Sequence, residues 1–113
     1  MARSAAPRSR VAPPKPTVVV LVRHGQTTTT GSVLPGRAPG LHLSEAGRAQ
    51  ADRAAARLAT LGRVAALYVS PLERTRETAA PIAKTLGLRP RVARGLLECD
   101  FGEWTGRKLA ELR

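Results

Sequence analysis

Arg23-His24-Gly25 is the segment of this chain whose residue types could do chemistry together, and it directly follows the apolar run Thr17-Val18-Val19-Val20-Leu21-Val22. A guanidinium pairs with oxyanions, an imidazole can act as a nucleophile near neutral pH, and a glycine leaves the backbone open to an approaching anion. In open α/β sheets, ligands sit outside the carboxyl ends of the strands, where a rigid strand presents the residues that follow it. Position and residue type together predict an anion-binding catalytic site with phosphate chemistry on His24.

The elements that must hold this triplet alternate between strand and helix from Thr17 onward, which predicts an α/β layered fold with a largely parallel sheet. Thr17 to Val22, nearly all apolar, reads as a first strand covered on both faces. A loop rich in Thr, Gly and Pro runs from Thr27 to Leu43, and Ser44 stands where a helix N-cap is expected. Ala46, Ala49, Leu58 and Leu61 are placed on the buried side of that helix, Arg48, Asp52, Arg53 and Arg57 on its solvated face, and Gly62 at its close. Val64 to Ser70 reads as a second strand, and Pro71 opens a helix to Leu86 that Pro81 can bend and Gly87 ends. A short third strand is expected near Arg91 to Ala93, and a further helix begins at Thr105. Trp104 is expected to anchor the core, and Arg76 and Glu77 to form a solvated face.

Composition bounds the rest. The chain has 113 residues, enough for one modest domain, with an aromatic fraction of 3% that leaves the core to Ala, Val and Leu. A formal charge of +11 favours polyanions, anionic membrane surfaces or phosphorylated substrates without choosing among them. Cys99 is the sole cysteine, which excludes an intrachain disulfide, a zinc knuckle and an iron–sulfur site. No apolar run approaches the roughly 20 residues that span a bilayer, and residues 1–16 lack the apolar stretch of a secretory signal, so a soluble cytoplasmic protein is expected. Those first residues, with four prolines, four cations and no acid, read as a disordered basic arm. Such an arm suits contact with nucleic acid, a transit peptide or a solvated start of the chain.

Three segments then occur in order: Arg23-His24-Gly25-Gln26-Thr27, Ser70-Pro71-Leu72-Glu73-Arg74-Thr75-Arg76-Glu77-Thr78-Ala79, and Leu97-Glu98-Cys99-Asp100-Phe101-Gly102-Glu103-Trp104-Thr105-Gly106. Each alone is weak; their order and spacing across residues 17–113 resemble the histidine phosphatase superfamily, also called phosphoglycerate mutase-like. The resemblance implies a three-layer α/β/α fold and a phosphomonoester hydrolase that works through a phosphohistidine on His24 without a metal or other cofactor. It implies that Arg23 and Arg74 bind the phosphoryl group and that Glu98 is the acid/base. Gly25 leaves room for phosphate, and Thr27 either lines the phosphate pocket or caps its own loop. Ser70 reads as a backbone-bonding turn residue and His42 as structural.

Two departures from the family pattern accompany the match. Thr30 stands where the family commonly has an asparagine. The family's second His-Gly pair has no counterpart, since only His24 and His42 are present. The resemblance therefore covers the N-terminal half of the family domain, and an isolated half predicts reduced turnover, self-association, or completion by a missing C-terminal half. Within the family, the third segment resembles the phosphatase branch more than the mutases, although mutase-type phosphoryl transfer is the alternative. The competing class is a non-catalytic anion- or nucleic-acid-binding fragment driven by net charge. Tyr68, Phe101 and Trp104 are the only aromatics, so no aromatic-interleaved basic stripe supports it. Sugar phosphates, nucleotide-like phosphates and phosphorylated proteins all satisfy the sequence as substrates.

Overall fold

The computed structural model describes residues 12–112. The basic-arm expectation for residues 1–16 lies mostly outside them; residues 12–16 are exposed and carry no regular structure.

Helix α1 spans Glu45–Leu58 and continues as a 3-10 turn over Ala59–Leu61 before Gly62. Ser44 caps it as expected, its Oγ accepting a hydrogen bond from Gly47 N at 3.1 Å. The buried stripe is Gly47, Ala51, Ala55 and Leu58, so of the four residues placed inside from the sequence only Leu58 is buried; Ala46, Ala49 and Leu61 are exposed. Alanine recurs around the whole circumference of this helix, so apolar periodicity alone cannot select its face. The packing partner selects it instead.

That partner is α2, Glu73–Leu86, whose buried residues are Arg74, Thr78, Ala79 and Ile82. Pro71 precedes the helix rather than opening it, because Leu72 is the N-cap. The helix runs through Pro81 to Gly87, which adopts a left-handed φ of 66° and donates its N–H to Ala83 O. Ala55, Leu58 and Ile82 form the apolar centre, with Leu67 and Leu86 packed against it.

Strand β1 is Tyr68–Val69, shorter than the Val64 to Ser70 expectation, and β2 is Arg91–Val92. They pair in parallel, Tyr68 with Arg91 and Val69 with Val92, so β1, α2 and β2 form a βαβ unit. Arg91 N→Leu67 O at 2.9 Å and Ala93 N→Val69 O at 2.8 Å extend the ladder at each end.

The expected first strand is a correction. Thr17 to Val22 joins no sheet, and Val18 and Leu21 are 80% and 87% exposed. A strand needs a neighbour to pair its N–H and C=O groups, and no described segment pairs with this one. Two further expectations change. The segment from Thr105 forms only a 3-10 turn at Leu109–Glu111, and Trp104 is 52% exposed rather than anchored. Phe101 and Thr105 lie against Gly36 instead.

Glu77, placed on a solvated face from the sequence, is a tether: its Oε1 accepts from Leu43 N at 2.9 Å and its Oε2 lies 3.0 Å from His42 Nδ1. Glu73, one turn earlier, accepts from Gly40 N at 3.0 Å. His42 is thus held in a structural contact, and Arg76 is exposed as expected. Both carboxyls are held below their ordinary value. Burial pushes Glu77 up, but the Leu43 N–H and His42 outweigh it; for Glu73 the Gly40 N–H dominates.

Because these folded-state values lie below the unfolded ones, their stabilisation is complete above pH 4.5 and is lost as pH falls through the depressed values. Thermal melts from pH 7 to pH 3 are expected to decline below about pH 4.5, and the Glu73→Gln/Glu77→Gln variant to decline less steeply there. Equal slopes in the two proteins would remove the tether from the acid response. Among the described residues no helix is long and apolar enough to cross a membrane.

Candidate active site

The Arg23-His24-Gly25-Gln26 segment is clamped between the two helices by main-chain hydrogen bonds. Gly25 N donates to Thr78 Oγ1 of α2 at 3.1 Å, and the same hydroxyl donates to Arg74 O at 2.8 Å. Gln26 N donates to Gln50 Oε1 of α1 at 2.8 Å. Gln26 O accepts from Ser44 N at 2.9 Å and from Ser44 Oγ at 3.1 Å. Thr78, Gln50 and the second role of Ser44 are not singled out by the sequence, since a helical Thr or Gln gives no sign of bonding a distant backbone.

The same crossing explains two glycines. A Cβ on Gly25 would lie 2.4 Å from Gly47 O, and one on Gly47 would lie 1.9 Å from Gln26 O. Gly25 is therefore required by the α1 backbone passing beside it, a packing reason that differs from the expected clearance for phosphate. Gly47 carries a signal that sequence reading could have used: glycine in the first turn of a helix costs about 1 kcal/mol relative to alanine.

A cavity of about 250 Å³ is lined by Arg23, His24, Arg74 and Glu98, together with Val22, Ser70, Leu72, Thr75, Leu96 and Leu97. Four residues drawn from three separate sequence segments thus surround one space. A second cavity of about 240 Å³ is lined by Arg23, His24, Gly25, Gln26, Thr30 and Gln50. Thr27 lines neither cavity. It is buried, its N donates to Thr30 Oγ1 at 2.8 Å, and its own hydroxyl lies 3.1 Å from Thr30 Oγ1. Of its two readings, the loop-capping one matches this placement. Ser70 Oγ lies 2.9 Å from Thr75 Oγ1 and accepts from Leu72 N at 3.5 Å, inside the turn that opens α2.

His24 Nδ1 is 2.7 Å from Gly25 O. A carbonyl can only accept, so Nδ1 carries the proton and neutral His24 keeps its lone pair on Nε2. Arg74 is 1% exposed, and its Nη2 donates to Gly36 O at 2.7 Å while Nε and Nη1 have no partner. A buried guanidinium that lines a cavity without a carboxylate partner among the described residues favours an anion there. Gly36, which orients this arginine from the Thr27 to Leu43 loop, was not foreseen; its φ of 51° and the preceding proline mark a turn but not its target. Glu98 is exposed, with Oε1 accepting from Cys99 N at 2.7 Å. Among the described residues no cluster of three or more His, Cys, Asp or Glu side chains could hold a metal.

Arg74→Met tests the oxyanion assignment. Loss of the buried guanidinium charge is expected to weaken inorganic phosphate binding by about 100-fold. Folding stability should change little, because a buried methionine needs no desolvated charge. Titration calorimetry and thermal melts read both quantities.

A βαβ unit whose helix brings Arg74 to a cavity shared with Arg23, His24 and Glu98 from the flanking segments defines an α/β protein with a site lined by two arginines. The chain belongs to the histidine phosphatase superfamily, whose branch 1 model matches residues 19–113. It is 37% identical over 97 residues to glucosyl-3-phosphoglycerate phosphatase of Mycobacterium tuberculosis, covering 83% of this chain and 42% of that protein. It is 43% identical over 98 residues to a bifunctional protein of the same organism, of which it covers 26%. The native structure of mycobacterial glucosyl-3-phosphoglycerate phosphatase aligns with a TM-score of 0.71 at 36% identity, over 78% of this chain and 41% of that one. Phosphoserine phosphatase from Entamoeba histolytica, in complex with 3-phosphoglyceric acid, aligns with a TM-score of 0.67 at 31% identity, over 79% and 43%. The phosphoglycerate mutase-like fold is therefore shared, and the chain spans less than half the length of these relatives.

Proposed function

We propose that this chain carries the nucleophile and phosphate-binding part of a phosphomonoester hydrolase acting on a small phosphorylated molecule. The observation that carries the reading is Arg74, a buried guanidinium on the cavity it shares with Arg23, His24 and Glu98. The names of the related phosphatases, both directed at low-molecular-weight phosphate esters, support the substrate class. The net charge of +11 suits an anionic substrate.

In this reading His24 Nε2 attacks phosphorus while Nδ1–H stays bonded to Gly25 O, which holds the ring and stabilises the positive charge it acquires. The ester P–O bond breaks, and Glu98 in its acid form donates a proton to the departing alkoxide. Arg23 and Arg74 stabilise the negative charge spread over the equatorial oxygens. Glu98, now a carboxylate, takes a proton from water, whose oxygen attacks phosphorus; the P–N bond breaks and phosphate leaves with His24 restored. Thr30, where the family has an asparagine whose amide contributes to the phosphate pocket, lines the second cavity and accepts from Thr27 N within its own loop.

The test is incubation of the folded chain with an aryl phosphate, reading released phenol and acid-labile phosphate on the protein. Both are expected. Absence of label and turnover in a demonstrably folded sample that also fails to bind inorganic phosphate would overturn the reading.

A further inference from the structure

We propose that Arg37 is a positioning residue for Glu98, and that the turn it belongs to sets the placement of the acid/base relative to the buried Arg74 guanidinium. The turn lies in the loop after the Arg-His-Gly segment and makes two contacts with the site from adjacent residues. Gly36 O accepts from Arg74 Nη2 at 2.7 Å, and Arg37 Nε–H donates to the main-chain carbonyl of Glu98. Two adjacent residues, one through its carbonyl and the other through its side chain, therefore link a helix residue to a loop residue of the site.

The turn is itself held against the segment that follows Glu98. Leu34 N donates to Arg107 O at 2.9 Å, Gly106 N to Leu34 O at 2.8 Å, and Leu109 N to Ser32 O at 2.9 Å, around an antiparallel bridge between Val33 and Lys108. Gly36 is buried, and a Cβ there would stand 3.2 Å from both Phe101 Cδ2 and Thr105 Oγ1. Residues 32–37 and 98–109 thus form a clasp whose inner end is the Gly36-Arg37 peptide. Glu98 needs that support: among the described residues its carboxylate bonds only locally, to Cys99 N, and its side chain is exposed. A side chain on a loop donates a proton efficiently only when its backbone is fixed to within a fraction of an ångström.

The inference rests on the phosphatase reading for the role of Glu98, and the experiment separates the two. The full chain is labelled with 13C-glutamate and 15N-arginine, and the Glu98 Cδ and Arg74 Hε resonances are followed with and without inorganic phosphate. In the wild type, phosphate is expected to shift Arg74 Hε. In Arg37→Met the Glu98 Cδ resonance is expected to move, and kcat toward an aryl phosphate to fall about 10-fold, while the phosphate Kd read at Arg74 and KM stay within about twofold. Arg37→Lys, whose ammonium can still donate to the carbonyl, should return the Glu98 resonance toward its original position. Gly36→Ala, strained at positive φ, should disturb both reporters. An unchanged Glu98 resonance in folded Arg37→Met overturns the positioning role. A silent Arg74 Hε in the wild type overturns the phosphate reading instead, and leaves the Glu98 comparison to decide the role of Arg37.

Discussion

Replacing His24 with alanine is expected to remove the acid-labile phosphate and to lower aryl phosphate hydrolysis by about 10⁴-fold or more, the order of effect seen when a covalent nucleophile is deleted. The fold should survive the change. His24 is only partly buried, and among the described residues its ring bonds only to the carbonyl of the next residue, so no distant described element depends on it. The segment around it is fixed through Gly25 N and through Gln26 N and O, which the substitution leaves in place. Inorganic phosphate should still bind, since Arg23 and Arg74 remain on the cavity. Thermal melting, phosphate titration and label incorporation on one preparation separate these expectations. A large fall in melting temperature with unchanged hydrolysis would make His24 structural and end its assignment as nucleophile.

Gly47→Ala is expected to cost about 3 kcal/mol of stability, near the upper range for overpacking a tight contact. The added methyl would meet Gln26 O at 1.9 Å, and this neighbour is backbone, so the helix or the Arg-His-Gly segment must move as a body. Either displacement strains the Ser44 and Gln50 bonds to Gln26, and through them the position of His24. For a domain of this size the melting temperature should fall by roughly 10 °C or more. The control is Glu45→Ala, an exposed position of the same first turn, where a change within about 1 kcal/mol is expected. If Gly47→Ala melts with the wild type, the two backbones are not in the contact described.

Several features of the fold were open to sequence reading because they depend on local backbone chemistry. The Ser44 cap, the Gly62 and Gly87 stops, a helix from the Pro71 region to Leu86 and a short strand at Arg91 follow from capping, turn and periodicity rules that need no distant partner. Family membership was likewise legible, because three motifs in fixed order carry more information than any one of them. Other features were not legible for a definite reason. The alanine-rich surface of α1 presents no unique apolar face until α2 chooses one, and the Thr17 to Val22 run remains unpaired because strand formation depends on a neighbour.

The residue types available for phosphate chemistry, their order along the chain, and the helices and turns between them can be read from local chemistry. Packing set which of those groups meet. It placed Arg74 in the interior on the cavity it shares with His24, turned Glu77 from a solvated carboxylate into a tether, and brought Gly36 and Arg37 onto Arg74 and Glu98. The physical reason is range. Caps, turns and periodicity act within about one helical turn, whereas a hydrogen bond between residues tens of positions apart exists only once packing has brought its donor and acceptor within 3 Å or so of one another.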